Sequence, residues 1–370
     1  MFTLSEEHSL LRDSARAFAQ EKMPTSHMRA VRDAKGEGFD RALWAEMAAL
    51  GWAGVLIPEE HGGVGLGYVG IGLILEELGR TLAPSPLHST ALIGAAALQL
   101  GGSAAQQSEW LPKIAAGECI IALAIDESAH HAPEKTTLMA EVKAGGHVLT
   151  GAKKYVADGH VADALIVAAR TGDGVGLFLV PAKNDGVRVT PLVTLDGRGA
   201  ADIAFDSVQV SSDARLGQGD GAALLDQVLD RARIGLAAEM LGQASQAFET
   251  TAEYLKTRTQ FGQLIGAFQA LQHRAAKMFV ELELTRSCVM AALAALDENR
   301  NDISEMASLA KARAGETLHL ISNEMVQMHG GIGMTDTADP GLYLKRARVA
   351  EALYGSASFH RDRYARLNGF

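Results

Sequence analysis

The stretch EYLKTRTQFGQLIGAFQALQHRAAKM, residues 253–278, decides how the C-terminal part of the chain folds. Helical periodicity runs up to it and away from it, yet Gly262 and Gly266 would each cost about 1 kcal/mol against Ala in a helix interior. Two helices joined by a loop around QFGQLIGAF are therefore expected rather than one unbroken rod. That break leaves Arg258 and Gln260 at a helix end with Phe261 between them, a set able to hold a diphosphate and to cover an aromatic ring system. The plainer alternative is a solvated helix-end charge beside a core phenylalanine.

On either side the helical pattern is long. Residues 221–295 and 302–328 run as extended helical stretches, and a further helical tail starts at 341. Between them QMHGGIGMTDTADP, residues 327–340, is glycine-dense, and amides freed at Gly330 and Gly331 can approach a phosphate or ribose closely. Helix C-caps use glycine too. This segment follows a helix and not a strand, which excludes a dinucleotide-binding βαβ loop.

Towards the N-terminus the same helical period returns. Ser5 followed by Glu and His opens a helix with Leu10, Leu11, Ala15 and Phe18 on one face. Further helices are expected over 38–51, 68–81, 86–101 and 104–116, with a Pro- and Gly-marked loop at GWAGVLIPEEHGGVGLGYVG, residues 51–70. From about 119 the period changes to two. CIIALAI, MAEVKAGGHVLTGAKKYVAD, ADALIVAAR, VGLFLVPA, VRVTPL and ADIAFDSVQV alternate with turn residues, the pattern of a small β-barrel or sandwich. The expected division is an all-α domain over 1–117, a β domain over 118–217 and a helical bundle over 218–370.

Composition narrows the function classes. With 370 residues, 48% of them hydrophobic, the chain can bury several cores. A formal net charge of -10 argues against a nucleic-acid groove, so an anionic ligand needs locally placed arginines. Cys119 and Cys288 fit no metal spacing and are expected as buried thiols of a reducing compartment. No apolar run reaches spanning length and no signal-like segment opens the chain, so a cytoplasmic protein without membrane insertion is expected. His130 and His131 stand close behind Glu127, but a carboxylate-bridged metal site needs such a pair on two helices; a solvated loop and no metal are expected.

Taken jointly and in order, GWAGVLIPEEHGGVGLG, RTQFGQLIGAFQALQH and QMHGGIGMT resemble the acyl-CoA dehydrogenase family across nearly the whole chain. The resemblance implies a multidomain α+β fold with an N-terminal helical domain, a middle β-barrel domain and a C-terminal four-helix bundle, assembled as a homo- or heterotetramer. It implies FAD as cofactor, an acyl-CoA substrate and an electron-transferring flavoprotein as acceptor. On the family's motifs, Arg258, Gln260 and Phe261 hold the FAD of a neighbouring subunit, joined by Gln269, Gln327, Gly330 and Gly331. Arg233 and Tyr354 fall on substrate-side positions.

The β domain departs from the family pattern. The usual Thr-Glu-Pro segment is replaced by ALAIDESAHHAPEKT, and the flavin-contacting Trp-Ile-Thr becomes Tyr155, Val156 and Ala157. Tyr155 can still stack on a ring, whereas Ala157 has no hydroxyl to donate to flavin N5.

The larger departure concerns the base. Acyl-CoA dehydrogenation needs a carboxylate to take the α-proton while the β-hydrogen leaves as hydride. The family's usual Tyr-Glu-Gly-Thr falls on Tyr354, Gly355, Ser356 and Ala357, and the alternative helix position of isovaleryl-type members falls on Ala232. Neither is acidic. Glu239, seven residues on from Ala232 and about 10 Å along the same face, and Glu351 are the nearby acids. Glu239 is either a relocated base or an interhelical ion pair. Three functions stand: α,β-dehydrogenation of an acyl-CoA with a relocated base, a non-catalytic subunit of a heteromeric dehydrogenase of the steroid side-chain type, or a non-redox ligand-binding scaffold.

Overall fold

A computed structural model describes residues 4–143 and 145–370. In chain order the helices are α1 (Glu6–Lys22), α2 (Thr25–Ala34), α3 (Arg41–Ala49), α4 (Gly67–Arg80), α5 (Ala95–Gly101) and α6 (Ala104–Ala115). The strands follow: β1 (Ile121–Ala124), β2 (Met139–Lys143), β3 (Gly146–Ala157), β4 (Ala164–Thr171), β5 (Gly174–Pro181), β6 (Val187–Leu192), β7 (Ala200–Ser211) and β8 (Arg215–Leu216). The C-terminal part has α7 (Ala222–Thr257), the two-residue strands β9 (Thr259–Gln260) and β10 (Gln263–Leu264), α8 (Gln269–Asp297), α9 (Ile303–His329), α10 (Pro340–Ala352) and α11 (Ala357–Leu367).

Helix ends follow their caps. The Ser5 hydroxyl accepts the His8 amide, and Glu6, Glu7 and Lys22 stand at the helix ends their charges favour. Ala15 and Phe18 are buried as expected; Leu10 instead is 65% exposed, so the apolar stripe of α1 is narrower than its sequence promised. Asp40 caps α3, which is shorter than the expected 38–51, and Ser103 with Gln106 forms a full capping box on α6. α2 was not foreseen: Met28 is its one buried residue, and polar and charged side chains outnumber the apolar ones. Cys119 is buried, while Cys288 is only half-buried, a correction to the expectation of two buried thiols.

Contacts group the chain into two units rather than along the order of element types: residues 1–30, 68–83 and 233–370 in one, 31–67 and 84–232 in the other. The second unit holds the sheet. The expected barrel or sandwich takes the form of one eight-stranded mixed sheet, ordered β6-β7-β3-β2-β4-β5-β8, with β1 parallel beside β4. β6 alternates in burial from Val187 to Thr190 as a period-two strand should, but β1 is buried throughout and β4 nearly so, their Ile, Leu, Val and Ala runs covered on both faces.

The first unit is the helical bundle. α4 and α7 touch backbone to backbone: a Cβ on Gly79 would lie 2.2 Å from the Glu239 carbonyl oxygen, and one on Gly242 would lie 1.8 Å from that of Glu76. Asp297 at the end of α8 accepts the Tyr68 and Val69 amides and so caps α4 across the bundle.

Candidate active site

The expected loop between α7 and α8 is a tight hairpin. Gln260 pairs with Gln263 and Thr259 with Leu264, leaving Phe261 and Gly262 as the two central residues at φ +53° and +78°. Positive φ at both positions is a type I′ turn, which favours Asn and Gly and strains a phenylalanine. Phe261 is also 91% exposed, so it is not a core residue. Arg258 and Gln260 are exposed beside it. Among the described residues the Arg258 guanidinium has no ion-pair or hydrogen-bond partner, so its positive charge faces water.

α9 ends next to α7. The Tyr254 and His329 rings stack with centroids 4.2 Å apart, which brings the hairpin and the Gly330–Met334 turn together. Gly330 sits at φ +65°, and a Cβ at Gly330 or Gly331 would meet nothing within 4 Å, so both backbones are open to a close-approaching group. Gln327 and, at the start of α8, Gln269 are exposed as well. An unpaired guanidinium, open glycine backbones and an exposed aromatic face suit a diphosphate with an attached ring.

In the sheet unit, Tyr155 lies at a bulge in β3, with φ +48° and its amide donated to Asp202. Ala157 pairs with Ala200 at the strand end. The neighbouring loop is solvated at Ser128, Ala129 and His130, as expected, but is tied down at Glu127 and His131. Glu127 accepts the Thr137 and Leu138 amides and pairs with the fully buried Lys153 ammonium at 2.7 Å. Desolvation pushes the Glu127 carboxyl up, but bonds from Lys153, Thr137 and Leu138 outweigh it and hold the group at about 2. His131, its side chain buried, bonds through Nδ1 to Asp126 at 3.0 Å. Among the described residues no group of three or more His, Cys, Asp or Glu side chains could hold a metal ion.

The turn between α10 and α11 carries the position of the absent glutamate. Tyr354 and Gly355 stand at φ +55° and +110°, and both are buried. A Cβ on Gly355 would fall 2.5 Å from Cδ1 of Phe359 and 2.9 Å from Nε2 of His360, so even an alanine does not fit without movement. Arg233, also buried, donates Nε to the Tyr354 carbonyl at 3.3 Å and lies over the Phe359 ring at 5.6 Å. Ala232 is fully buried.

Glu239 is held in an ion pair. Its Oε1 accepts from Arg346 Nη2 at 3.0 Å and from Gln243 at 2.8 Å inside the bundle, the interhelical ion pair of the two readings. Glu351 is drawn to Arg348 and His319. Sequence reasoning missed Lys311 and His360, both buried against the 353–356 turn. For Lys311 a signal existed, since it shares the apolar helix face of Ala307, Ala314 and Leu318.

Comparison with known proteins agrees with this layout. The N-terminal domain profile of acyl-CoA dehydrogenases matches residues 5–118 and the C-terminal domain profile matches residues 219–367. Acyl-CoA dehydrogenase IpdE2 of Mycolicibacterium smegmatis is 32% identical over 353 residues, 95% of this chain and 96% of that protein. The solved Tcur3481-Tcur3483 steroid ACAD, a variant, superposes with a TM-score of 0.91 at 34% identity, covering 99% of this chain and 98% of its own. The ChsE4-ChsE5 complex of Mycobacterium tuberculosis gives 0.92 at 28% identity, covering 100% and 99%. The chain belongs to the acyl-CoA dehydrogenase family, FAD-dependent oxidoreductases acting on acyl-CoA. None of the described helices is long and apolar enough to cross a membrane.

Proposed function

We propose that this chain is an FAD-binding subunit for α,β-dehydrogenation of an acyl-CoA thioester, in a mixed tetramer whose partner contributes the base. One observation carries this reading. Neither base position holds a carboxylate, the space beside Gly355 is filled by Phe359 and His360, and Glu239 is committed to Arg346. A chain with a relocated base would present an acid with lone pairs unclaimed near that turn; Glu239 and Glu351 both have theirs engaged by cations.

Arg258, Gln260 and Phe261, with Gln269, Gln327, Gly330 and Gly331, would hold the diphosphate and adenosine part of FAD. Tyr155 would lie against the flavin ring and Ala157 would leave N5 without a side-chain donor. When bound, FAD supplies the acceptor for the hydride leaving the β-carbon. Arg233 and Tyr354 would shape the acyl side. Phe279, Val280, Leu284, Ile332 and Met334 are each at least half exposed in the bundle unit, apolar surface that supports burial between subunits. ChsE4-ChsE5 is a complex of two components, which supports a two-component assembly here. A steroid-derived acyl group, an electron-transferring flavoprotein and a cytoplasmic setting complete the proposal.

The test is expression of the chain alone and together with each acyl-CoA dehydrogenase encoded beside it, followed by flavin content and acyl-CoA-driven bleaching. Flavin loading and bleaching are expected only in a mixed complex. A lone chain that carries flavin and bleaches with acyl-CoA would make it a self-sufficient dehydrogenase instead.

A further inference from the structure

The 353–356 turn is held by side chains from three helices. Lys311 Nζ, on α9, donates to the carbonyls of Ala350 at 3.0 Å, Glu351 at 3.3 Å and Gly355 at 3.0 Å. Arg233 on α7 and His360 on α11 both reach the Tyr354 carbonyl, at 3.3 and 3.1 Å. Two of the Lys311 acceptors belong to the last turn of α10, whose carbonyls lack intrahelical partners, and the third lies beyond it. An apolar side chain would fill the same core at lower desolvation cost. What the ammonium adds is a three-point grip that ties the end of α10 to the irregular backbone at Gly355.

We propose that Lys311 is the positioning residue of this turn, its three N–H groups fixing Gly355 and the end of α10 together, so that the turn tightens when the amine is protonated and opens when it is neutral. A neutral amine keeps two N–H groups for three carbonyls. Burial pushes the Lys311 ammonium down to about 7, opposed by Glu351 and aided by Arg233 and Arg346. The groups facing it are Arg233 from α7, Arg346 and Glu351 from α10, and His360 from α11, with Arg363 beyond His360. His360 is itself pushed down, by burial and then by Lys311, Arg233 and Arg363, to about 2, so it stays neutral over the relevant range. The arginines keep their charge.

The sign separates this role from plain core packing. With a folded value below that of free lysine, the folded chain binds fewer protons above about pH 7, so Lys311 makes the whole fold more stable as pH rises from there towards 10. The turn moves the other way and opens over the same rise. Its importance for acyl binding rests on the function proposed above, but the test does not.

Hydrogen exchange of the peptide covering 350–358, corrected for intrinsic rates, is followed from pH 6 to 9 in the full chain without substrate. Loss of one bond predicts a rise in exchange of about threefold to tenfold at 353–356, with α9 unchanged. Lys311→Met is expected to show the raised exchange already at pH 6 and no further rise. Should that variant not fold, the wild-type pH series decides by itself. A flat corrected series, or protection lost equally across α9, α10 and α11, overturns the proposal.

Discussion

Glu239 and Arg346 face one another inside the bundle, carboxylate to guanidinium at 3.0 Å, both buried. An acid so placed is a structural partner first: taking a substrate proton would leave Arg346 buried without its counter-charge. Glu239→Gln is therefore expected to destabilise the fold by about 3–5 kcal/mol, the usual cost of breaking a buried pair from one side. The double change Glu239→Leu with Arg346→Met should recover much of that loss. Urea unfolding measures both, and a single variant as stable as wild type would show that the pair contributes nothing.

Restoring a glutamate at the turn should fail. Gly355 combines φ +110° with a Cβ position 2.5 Å from the Phe359 ring, so strain and overlap act together. Gly355→Ala is expected to cost about 1–3 kcal/mol and Gly355→Glu more, without gain of acyl-CoA bleaching. Thermal unfolding checks the first part, and anaerobic acyl-CoA titration of the variant chain alone, incubated with excess FAD, checks the second against wild type treated in the same way. A Gly355→Glu protein of normal stability that bleaches would show that the pocket beside the turn yields easily.

What could be read in advance followed from local chemistry. Gly262 and Gly266 announced the break between α7 and α8 because a glycine's cost in a helix is local. The strands from 119 to 211 were legible for the same kind of reason, through turn residues and β-branched runs. α2 was not, since its few apolar residues stand among more numerous polar and charged ones, and β4 looked the same whether one face or two were covered. The absence of a carboxylate at Gly355 was visible, but the Phe359 and His360 side chains that fill its place belong to the next helix and meet it only in three dimensions. The same holds for Arg346, which sits 107 residues from Glu239.

Arg258→Ala should separate flavin binding from folding. The side chain is exposed and unpaired, so its loss is expected to change stability by no more than about 0.5 kcal/mol. A charge-assisted bond to a diphosphate contributes roughly 1.5–3 kcal/mol, so flavin affinity should fall by roughly tenfold to a hundredfold. The flavin-to-protein ratio after gel filtration of the mixed complex reports this. Full occupancy in the variant would move the diphosphate away from Arg258.

Glu127 should govern the acid stability of the sheet unit. Its carboxyl is held at about 2, below the usual value for glutamate, by Lys153 and the Thr137 and Leu138 donors. A group depressed on folding contributes stability that is complete above its unfolded value near pH 4.3 and is lost as pH falls through the folded one. Wild-type protein is therefore expected to weaken between about pH 4.5 and 2, and Glu127→Gln to be less stable at neutral pH with a shallower slope in that window. Lys153→Met is the complementary probe: it removes the ammonium that the carboxylate neutralises, so it should raise the acid midpoint while Glu127 keeps its amide donors. Denaturation midpoints taken at half-unit pH steps distinguish the three proteins. Parallel curves for wild type and Glu127→Gln below pH 4.5 would assign the acid sensitivity to other carboxylates.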